Sequence, residues 1–176
     1  MRSLALLILT FEILLVQDAG RLGAEDDTHP AVVRVRSDNP SIAALIRDAT
    51  GWSTTFRGLT ETIAATDGLV YVDEGQCGHS VRACLSLSVQ MAGPFRLLRV
   101  LVNTRGAAAC DLMASIGHEL QHAIEVLRDP HVTDMQSAYL FFLHKGPTAS
   151  GRFETEAAID VGHHVGLEAC AHAKGR

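Results

Sequence analysis

The segment His118-Glu119-Leu120-Gln121-His122 combines two imidazoles and a carboxylate at a spacing that suits a zinc ion. On a helix, residues at positions i and i+4 lie one above the other, so His118 and His122 can both bind one tetrahedral metal ion. Glu119 is rotated by about 100° from His118 and can reach a metal-bound water without being a ligand. Zinc lowers the pKa of its water to about 7, and a carboxylate that takes the proton leaves a nucleophile for a carbonyl group. The pattern therefore predicts a hydrolytic zinc site with Glu119 as general base.

The residues around this segment predict a long helix. Apolar residues recur at helical spacing from Leu112 to Leu127, and Asp129-Pro130 supplies a stop. Gly117 lies inside this helix, where glycine costs about 1 kcal/mol relative to alanine. We therefore expect another element to pack close to the backbone at Gly117.

A catalytic zinc site needs a third protein ligand, and a second long helix, predicted from Phe153 onwards, offers one. Glu156 shares a face of that helix with Asp160 and His163, at steps of three and four residues. An ionisable group on an apolar face points inward only if something satisfies it, and a zinc ion would do so for Glu156. Asp160, one turn further on, could accept the free N–H of a ligating histidine.

The two segments together resemble those of the gluzincin metallopeptidases, the thermolysin-like group, in which His-Glu-x-x-His is followed on a later helix by Glu-Ala-x-x-Asp. The chain has Glu-Ala-Ala-Ile-Asp at 156–160, and Thr155 stands where the family commonly has Asn. The resemblance covers about residues 97–165. It implies a small zincin-like domain that cleaves peptides and pairs an extended substrate with the strand before the metal helix. It assigns His118, His122 and Glu156 as zinc ligands, Glu119 as general base and Asp160 as the partner of a ligand.

Other residues remain candidates for these roles. The alternatives for the third ligand are Glu154, Glu125 and His163. Glu154 lies about 200° round the helix from Glu156, on the side of Ala158. Glu125, seven residues past the first histidine, returns to the same face of the metal helix and could be a ligand or a hydrogen-bonding carboxylate. A further helix predicted at 133–144 carries Tyr139, which could donate to an oxyanion or simply complete the core.

Short strands are predicted before the metal helix, at 31–36, 69–72, 81–91 and 97–102, with a short helix opening at Pro40. Residues 81–91 alternate most clearly between apolar and polar side chains. Strands followed by helices indicate an α+β domain, with a mostly antiparallel N-terminal sheet ahead of the metal-binding helices.

Residues 1–24 are interpreted as an export signal, because Arg2 precedes an apolar stretch from Leu4 to Val16 and small residues follow. That stretch is too short to span a bilayer, so we expect no transmembrane span in the mature form. Residues 25–176 would then form one metal-binding domain, exported to the periplasm or secreted.

Four cysteines fit an oxidising compartment, and none has the spacing of a structural zinc site. Three disulfide pairings are possible. The one that we favour joins Cys110 to Cys170, on the two helices expected to carry the metal ligands, and leaves Cys77 with Cys84. Four free thiols buried as small apolar groups are the alternative.

Composition narrows the class of partner. The chain has 176 residues, a net charge of −5 and 47% hydrophobic residues, with no basic cluster, so a nucleic acid is not expected as a partner. The sequence predicts a zinc-dependent hydrolase, most simply a metallopeptidase acting on a peptide or protein. The alternative is a non-catalytic, zinc-stabilised exported binding or structural domain, which would have no use for Glu119.

Overall fold

A computed structural model describes residues 33–78, 81–145 and 153–175, which form an α+β arrangement of five helices and five strands. The strands are β1 (Val35–Arg36), β2 (Gly68–Glu74), β3 (Ala83–Leu85), β4 (Gln90–Ala92) and β5 (Phe95–Val102). The helices are α1 (Pro40–Trp52), α2 (Thr54–Ala64), α3 (Ala109–Leu127), α4 (Met135–Lys145) and α5 (Glu156–Lys174). The α+β class predicted from the sequence is confirmed.

The sheet is mixed rather than mostly antiparallel. Its strand order is β1-β2-β5-β3, and β4 also pairs with β5. β1 with β2 and β2 with β5 are parallel, whereas β3 and β4 are antiparallel to β5. The predicted antiparallel sheet is therefore wrong for the two pairings that involve β2.

The antiparallel prediction failed for β1 and β2 because two helices lie between these strands in the chain. Parallel neighbours need a crossover connection, and α1 and α2 form it. Only the first was predicted, from Pro40, which stands at the first helical position behind its cap Asn39. α2 begins directly after α1 because Ser53 ends one helix and caps the other, accepting a hydrogen bond from the Phe56 N–H.

One face of the sheet carries the core. Along β5, Arg96, Leu98, Val100 and Val102 are buried, while the alternate residues are more exposed. The buried face contacts α3, and β2 adds Val70 to the same core. This packing fixes α3 against the two central strands.

The most extensive contact between two helices in the described part of the chain joins α3 and α5. A Cβ added at Gly117 would come within 2.9 Å of Val165, so only glycine allows this approach, as predicted. A disulfide between Cys110 and Cys170 ties the same helices together. The other disulfide joins Cys77 to Cys84, so the favoured pairing is confirmed. The two helices that carry the site are therefore held both by packing and by a covalent bond.

Glu168 ties α5 to the beginning of α2. Its carboxylate accepts hydrogen bonds from the Ser53 and Thr55 side chains and from the Thr55 N–H. Burial raises the pKa of Glu168, but these bonds and the one from Thr54 outweigh it and hold the pKa below its usual range. These hydrogen bonds hold α5 at Glu168 against the beginning of α2.

The predicted export signal, residues 1–24, and the beginning of the strand predicted at 31–36 lie outside the described residues. Within the described ranges, no helix is both long enough and apolar enough to cross a membrane.

Arg96 on β5 should be essential for stability. Its side chain is 3% exposed, pairs with Asp67 and donates to backbone carbonyls at the end of α3, including that of Leu127. We expect Arg96→Met to lower the free energy of unfolding by about 3 kcal/mol, because several buried acceptors lose a charged donor. Urea denaturation measures this.

Arg99→Met on the same strand is the matched control. Arg99 pairs with Asp73 but is 51% exposed, so its loss should change the free energy of unfolding by less than about 1 kcal/mol. Equal effects of the two substitutions would contradict the role given to Arg96.

Candidate metal centre

Helix α3 brings His118 and His122 together, one turn apart on the same face. Their ring centroids lie 4.9 Å apart and the rings are nearly perpendicular. The helix is held rigidly, because its residues on either side of the pair are buried against the sheet and α5. The Nε2 atoms of the two rings approach the same neighbouring carboxylate oxygen.

Glu154, rather than Glu156, completes this cluster. Its Oε2 atom lies 3.0 Å from His118 Nε2 and 3.9 Å from His122 Nε2. One ligand atom from each of the three residues falls within 4.8 Å of the others. Glu156 is exposed to solvent, so the prediction that it points inward is wrong, and Glu154, the alternative left open from the sequence, takes the place expected for the third ligand.

Two features of α5 explain why Glu154 and not Glu156 joins the cluster: the residue at which the helix begins and the face that the helix buries. Thr155 is the N-cap in an extended conformation, so Glu154 lies before the helix and its direction is not set by helical periodicity. The buried residues of α5 are Ala158, Val165 and Ala169. Small residues line this face because α3 is so close, whereas the larger Ile159 and Leu167 are exposed.

Glu125, not Asp160, orients a histidine. Glu125 Oε2 lies 3.0 Å from His122 Nδ1, which leaves Nε2 free to face the cluster. Its other oxygen accepts a hydrogen bond of 2.6 Å from the Thr155 hydroxyl. Asp160 is exposed, so the prediction that it points toward the site is wrong. The supporting carboxylate comes from α3 itself.

Thr155 joins this arrangement to α5. Its hydroxyl donates to Glu125 and also accepts from the Ala158 N–H, which caps the helix. Since Thr155 directly follows Glu154, these two bonds fix the backbone that presents the third carboxylate. Threonine is a preferred N-cap residue. Thr155 is therefore the feature of the sequence that indicates a helix start at this position.

Glu119 lies beside the cluster and is 8% exposed. Its Oε1 atom is 4.0 Å from His118 Nε2, and its Oε2 accepts a hydrogen bond of 2.7 Å from the Leu85 N–H. Burial raises the pKa of Glu119 to about 7, although the His122 charge and the Leu85 hydrogen bond oppose the shift. A carboxylate with such a pKa is suited to take up and return a proton near neutral pH.

The pKa values of the two imidazoles are shifted in opposite directions. Burial and the neighbouring His122 lower the pKa of His118. Burial also acts to lower the pKa of His122, but hydrogen bonding to Glu125 and the nearby Glu119 and Glu154 carboxylates raise it. His118 therefore favours the neutral form, which is the form that binds metals.

The cluster fits a divalent transition metal. Glu154 Oε2 is buried, and among the described residues no donor meets it in hydrogen-bond geometry, even though His118 Nε2 lies 3.0 Å away. A buried carboxylate oxygen without a donor is costly unless a cation satisfies it. Two imidazole nitrogens and one carboxylate oxygen, with a supporting hydrogen bond to one imidazole, match the ligand sets of zinc.

Other residues considered from the sequence lie elsewhere. Tyr139 is 48% exposed, and its ring packs edge-on against Phe153. His163 is exposed and lines a neighbouring cavity without joining the three-residue cluster. Cys110 and Cys170 lie close to Asp111, but their disulfide leaves no thiolate to bind a metal.

Comparisons of the chain with protein-family models, with curated proteins and with solved structures give no match.

Glu154→Ala should weaken binding of a divalent metal ion strongly, whereas Glu156→Ala should leave it unchanged. The first substitution removes a carboxylate from the cluster, and the second removes an exposed one at the start of α5. Zinc affinity measured by competition with a chromophoric chelator tests this. Loss of affinity in Glu156→Ala alone would contradict the placement of Glu154.

Thr155→Val should lower zinc affinity by about 10-fold or more, the scale found when a group that orients a ligand is lost. It should also cost about 1 kcal/mol of stability, because α5 loses its cap. Thr155→Ser keeps the hydroxyl and should restore the affinity. If Thr155→Val binds zinc as the unchanged protein does, the hydroxyl has no positioning role.

Proposed function

We propose that this protein is a zinc-dependent hydrolase, most simply a metallopeptidase, with His118, His122 and Glu154 as the metal ligands. The observation that carries the proposal is Glu119. It is a buried carboxylate next to the three ligands, and its own hydrogen bond comes from a backbone N–H rather than from the ligand set. A site that serves structure alone has no use for such a group.

The chemistry divides between the ligand set and Glu119. A zinc ion held by three protein ligands would keep an open position for water and lower the pKa of that water to about 7. Glu119 would supply the base, since its carboxylate would take a proton from the attacking water and return it to the leaving amine. The Leu85 N–H fixes Oε2 of Glu119 while its Oε1 is the oxygen nearer to the His118 ring.

His122 and Glu125 support this role. The Glu125 carboxylate holds the His122 ring so that Nε2 faces the cluster, which lowers the reorganisation needed during a reaction. Export of the protein is part of the proposal, and two disulfides support it because they form and persist in oxidising compartments.

Glu119→Gln should separate metal binding from catalysis. The substitution removes the proton acceptor but no ligand, so zinc content should remain about one ion per chain. Cleavage of a mixed library of synthetic peptides should fall at least about 10²-fold in kcat/KM. Metal analysis and mass spectrometry of the products measure the two quantities.

Glu156→Gln is the matched control, because it changes an exposed carboxylate near the site. It should keep both zinc and activity. A zinc-loaded protein that cleaves no peptide would favour the non-catalytic binding domain, and an active Glu119→Gln variant would contradict the assigned base.

A further inference from the structure

The Cys77–Cys84 disulfide lies beside the candidate metal centre. Both cysteines line a cleft of about 210 Å³ together with Glu119, His122 and Glu154. Both are half-buried, so the bond is open to small molecules from the cleft. This disulfide is therefore a part of the site whose covalent state depends on the redox conditions around the protein.

Leu85 connects the disulfide to the proposed general base. It follows Cys84 directly in β3, and its N–H donates the 2.7 Å hydrogen bond to Glu119 Oε2. The next residue, Ser86, donates its N–H to the Arg99 carbonyl of β5. Backbone groups alternate along an antiparallel strand, so the Leu85 N–H points away from β5. The position of β3 therefore decides where this donor meets the carboxylate.

The noncovalent contacts that hold β3 are limited. It is a three-residue strand at the edge of the sheet, and among the described strands it pairs with β5 alone. Ala83 is buried, whereas Cys84 and Leu85 are half-buried. Ahead of the strand, the exposed Arg82 side chain donates to two backbone carbonyls that follow β5. A strand this short gains little stability from burial and pairing by itself.

The disulfide supplies a covalent tether for β3. It joins the middle of this strand to Cys77, three residues past the end of β2. β2 lies inside the sheet, and its Val70 and Val72 side chains are fully buried. Between β2 and the cysteine, the Gly75 N–H donates to the Val102 carbonyl of β5. The edge strand is therefore tied by a covalent bond to the central strands.

We propose that the Cys77–Cys84 disulfide is a positioning element for the general base, and that the site turns over only after this bond has formed. The inference rests on the proposed function of Glu119. With the bond in place, β3 keeps the Leu85 N–H on one oxygen of this carboxylate, and the other oxygen is the nearer one to the His118 ring. Without the bond, β3 can shift, and a displacement of about 1 Å can cost about 10²-fold in rate.

Formation of this bond is an oxidation that couples the activity to the compartment. The thiols of Cys77 and Cys84 lose two electrons and two protons to a disulfide oxidant, which is itself reduced to two thiols. Such bonds form and persist in the oxidising compartments of exported proteins, and they are rare where cellular thiols are kept reduced. The hydrolase would therefore be inactive in a reducing compartment and become active after export.

Cys77→Ser/Cys84→Ser tests the positioning role, because serine is similar in size and forms neither a disulfide nor a thiolate that could bind zinc. In protein prepared with zinc and labelled at leucine nitrogen, the Leu85 amide should exchange with deuterium at least about tenfold faster than in the unchanged protein. The reason is that its hydrogen bond to Glu119 is no longer held. The Leu98 amide of β5 reports opening of the whole sheet, so NMR measures the ratio of the two rates.

Turnover gives a second readout of the same substitution. For a peptide that the unchanged protein cleaves, kcat should fall at least about tenfold without a comparable rise in KM, while the protein keeps about one zinc ion per chain. Unchanged protein prepared with its cysteines reduced should gain turnover when oxidised glutathione is added. Cys77→Ser/Cys84→Ser should show no such gain, although it retains the other two cysteines.

Cys110→Ser/Cys170→Ser is the matched control, because it removes a disulfide but leaves β3 tied to β2. The cysteines that it replaces are 60 residues apart rather than 7, so it should lower the overall stability more. Even so, the ratio of Leu85 to Leu98 exchange should remain as in the unchanged protein.

Two results would overturn the positioning role. One is an unchanged exchange ratio in Cys77→Ser/Cys84→Ser, and the other is an equal rise of the ratio in both double variants. Failure of the unchanged, oxidised protein to cleave any peptide would contradict the proposed function instead. The two failures are distinguishable, because the exchange ratio is measured without substrate.

Discussion

The close approach of α3 and α5 is the constraint on which the site depends. A side chain at Gly117 would collide with Val165, and a Cβ at Gly162 would lie 3.1 Å from that of His118. Two helices this close behave as one rigid unit, because there is no room for a side chain to rearrange between them. Metal ligands from both sides of this contact can therefore be held to a fixed separation.

Hydrogen bonds between residues near the site also hold the candidate metal ligands in place. The path runs from Glu154 through the neighbouring Thr155 hydroxyl to Glu125 and then to the His122 ring. Each of these bonds pairs polar groups that are partly buried. As a result, Thr155 and Glu125 support both Glu154, which lies before α5, and His122 on α3. A change in this hydrogen-bonded pair therefore affects both ligands.

The sequence was most informative where short-range geometry decides the outcome. The spacing of His118 and His122 and the position of Gly117 follow from helical periodicity, and the structure agrees with both. The Cys110–Cys170 pairing was favoured because the two cysteines lie on the two helices expected to carry the metal ligands, and it is confirmed. α2 was missed because its start depends on Ser53, which serves two helices at once.

The third ligand shows why the rest of the site could not be predicted from the sequence. Helical periodicity placed Glu156 inward on the assumption that large apolar residues mark the buried face of α5. The real buried face consists of small residues such as Ala158, since α3 leaves space for little else. Glu154 lies outside the helix, so periodicity carries no information on its direction. Which face is buried was set by the partner helix and not by the hydrophobicity of α5 itself.

The edge of the sheet formed by β3 and β4 is poorly suited to pairing with a second copy of the chain. Ala83–Leu85 and Gln90–Ala92 pair with β5 in registers that differ by two residues, because Ala83 opposes Val102 while Gln90 opposes Leu97. The edge is thus divided into two three-residue strands. Long, flat edges invite pairing with the edges of neighbouring molecules, and interrupted ones resist it. A second copy of the sheet therefore finds only short runs of backbone with which to pair at this edge.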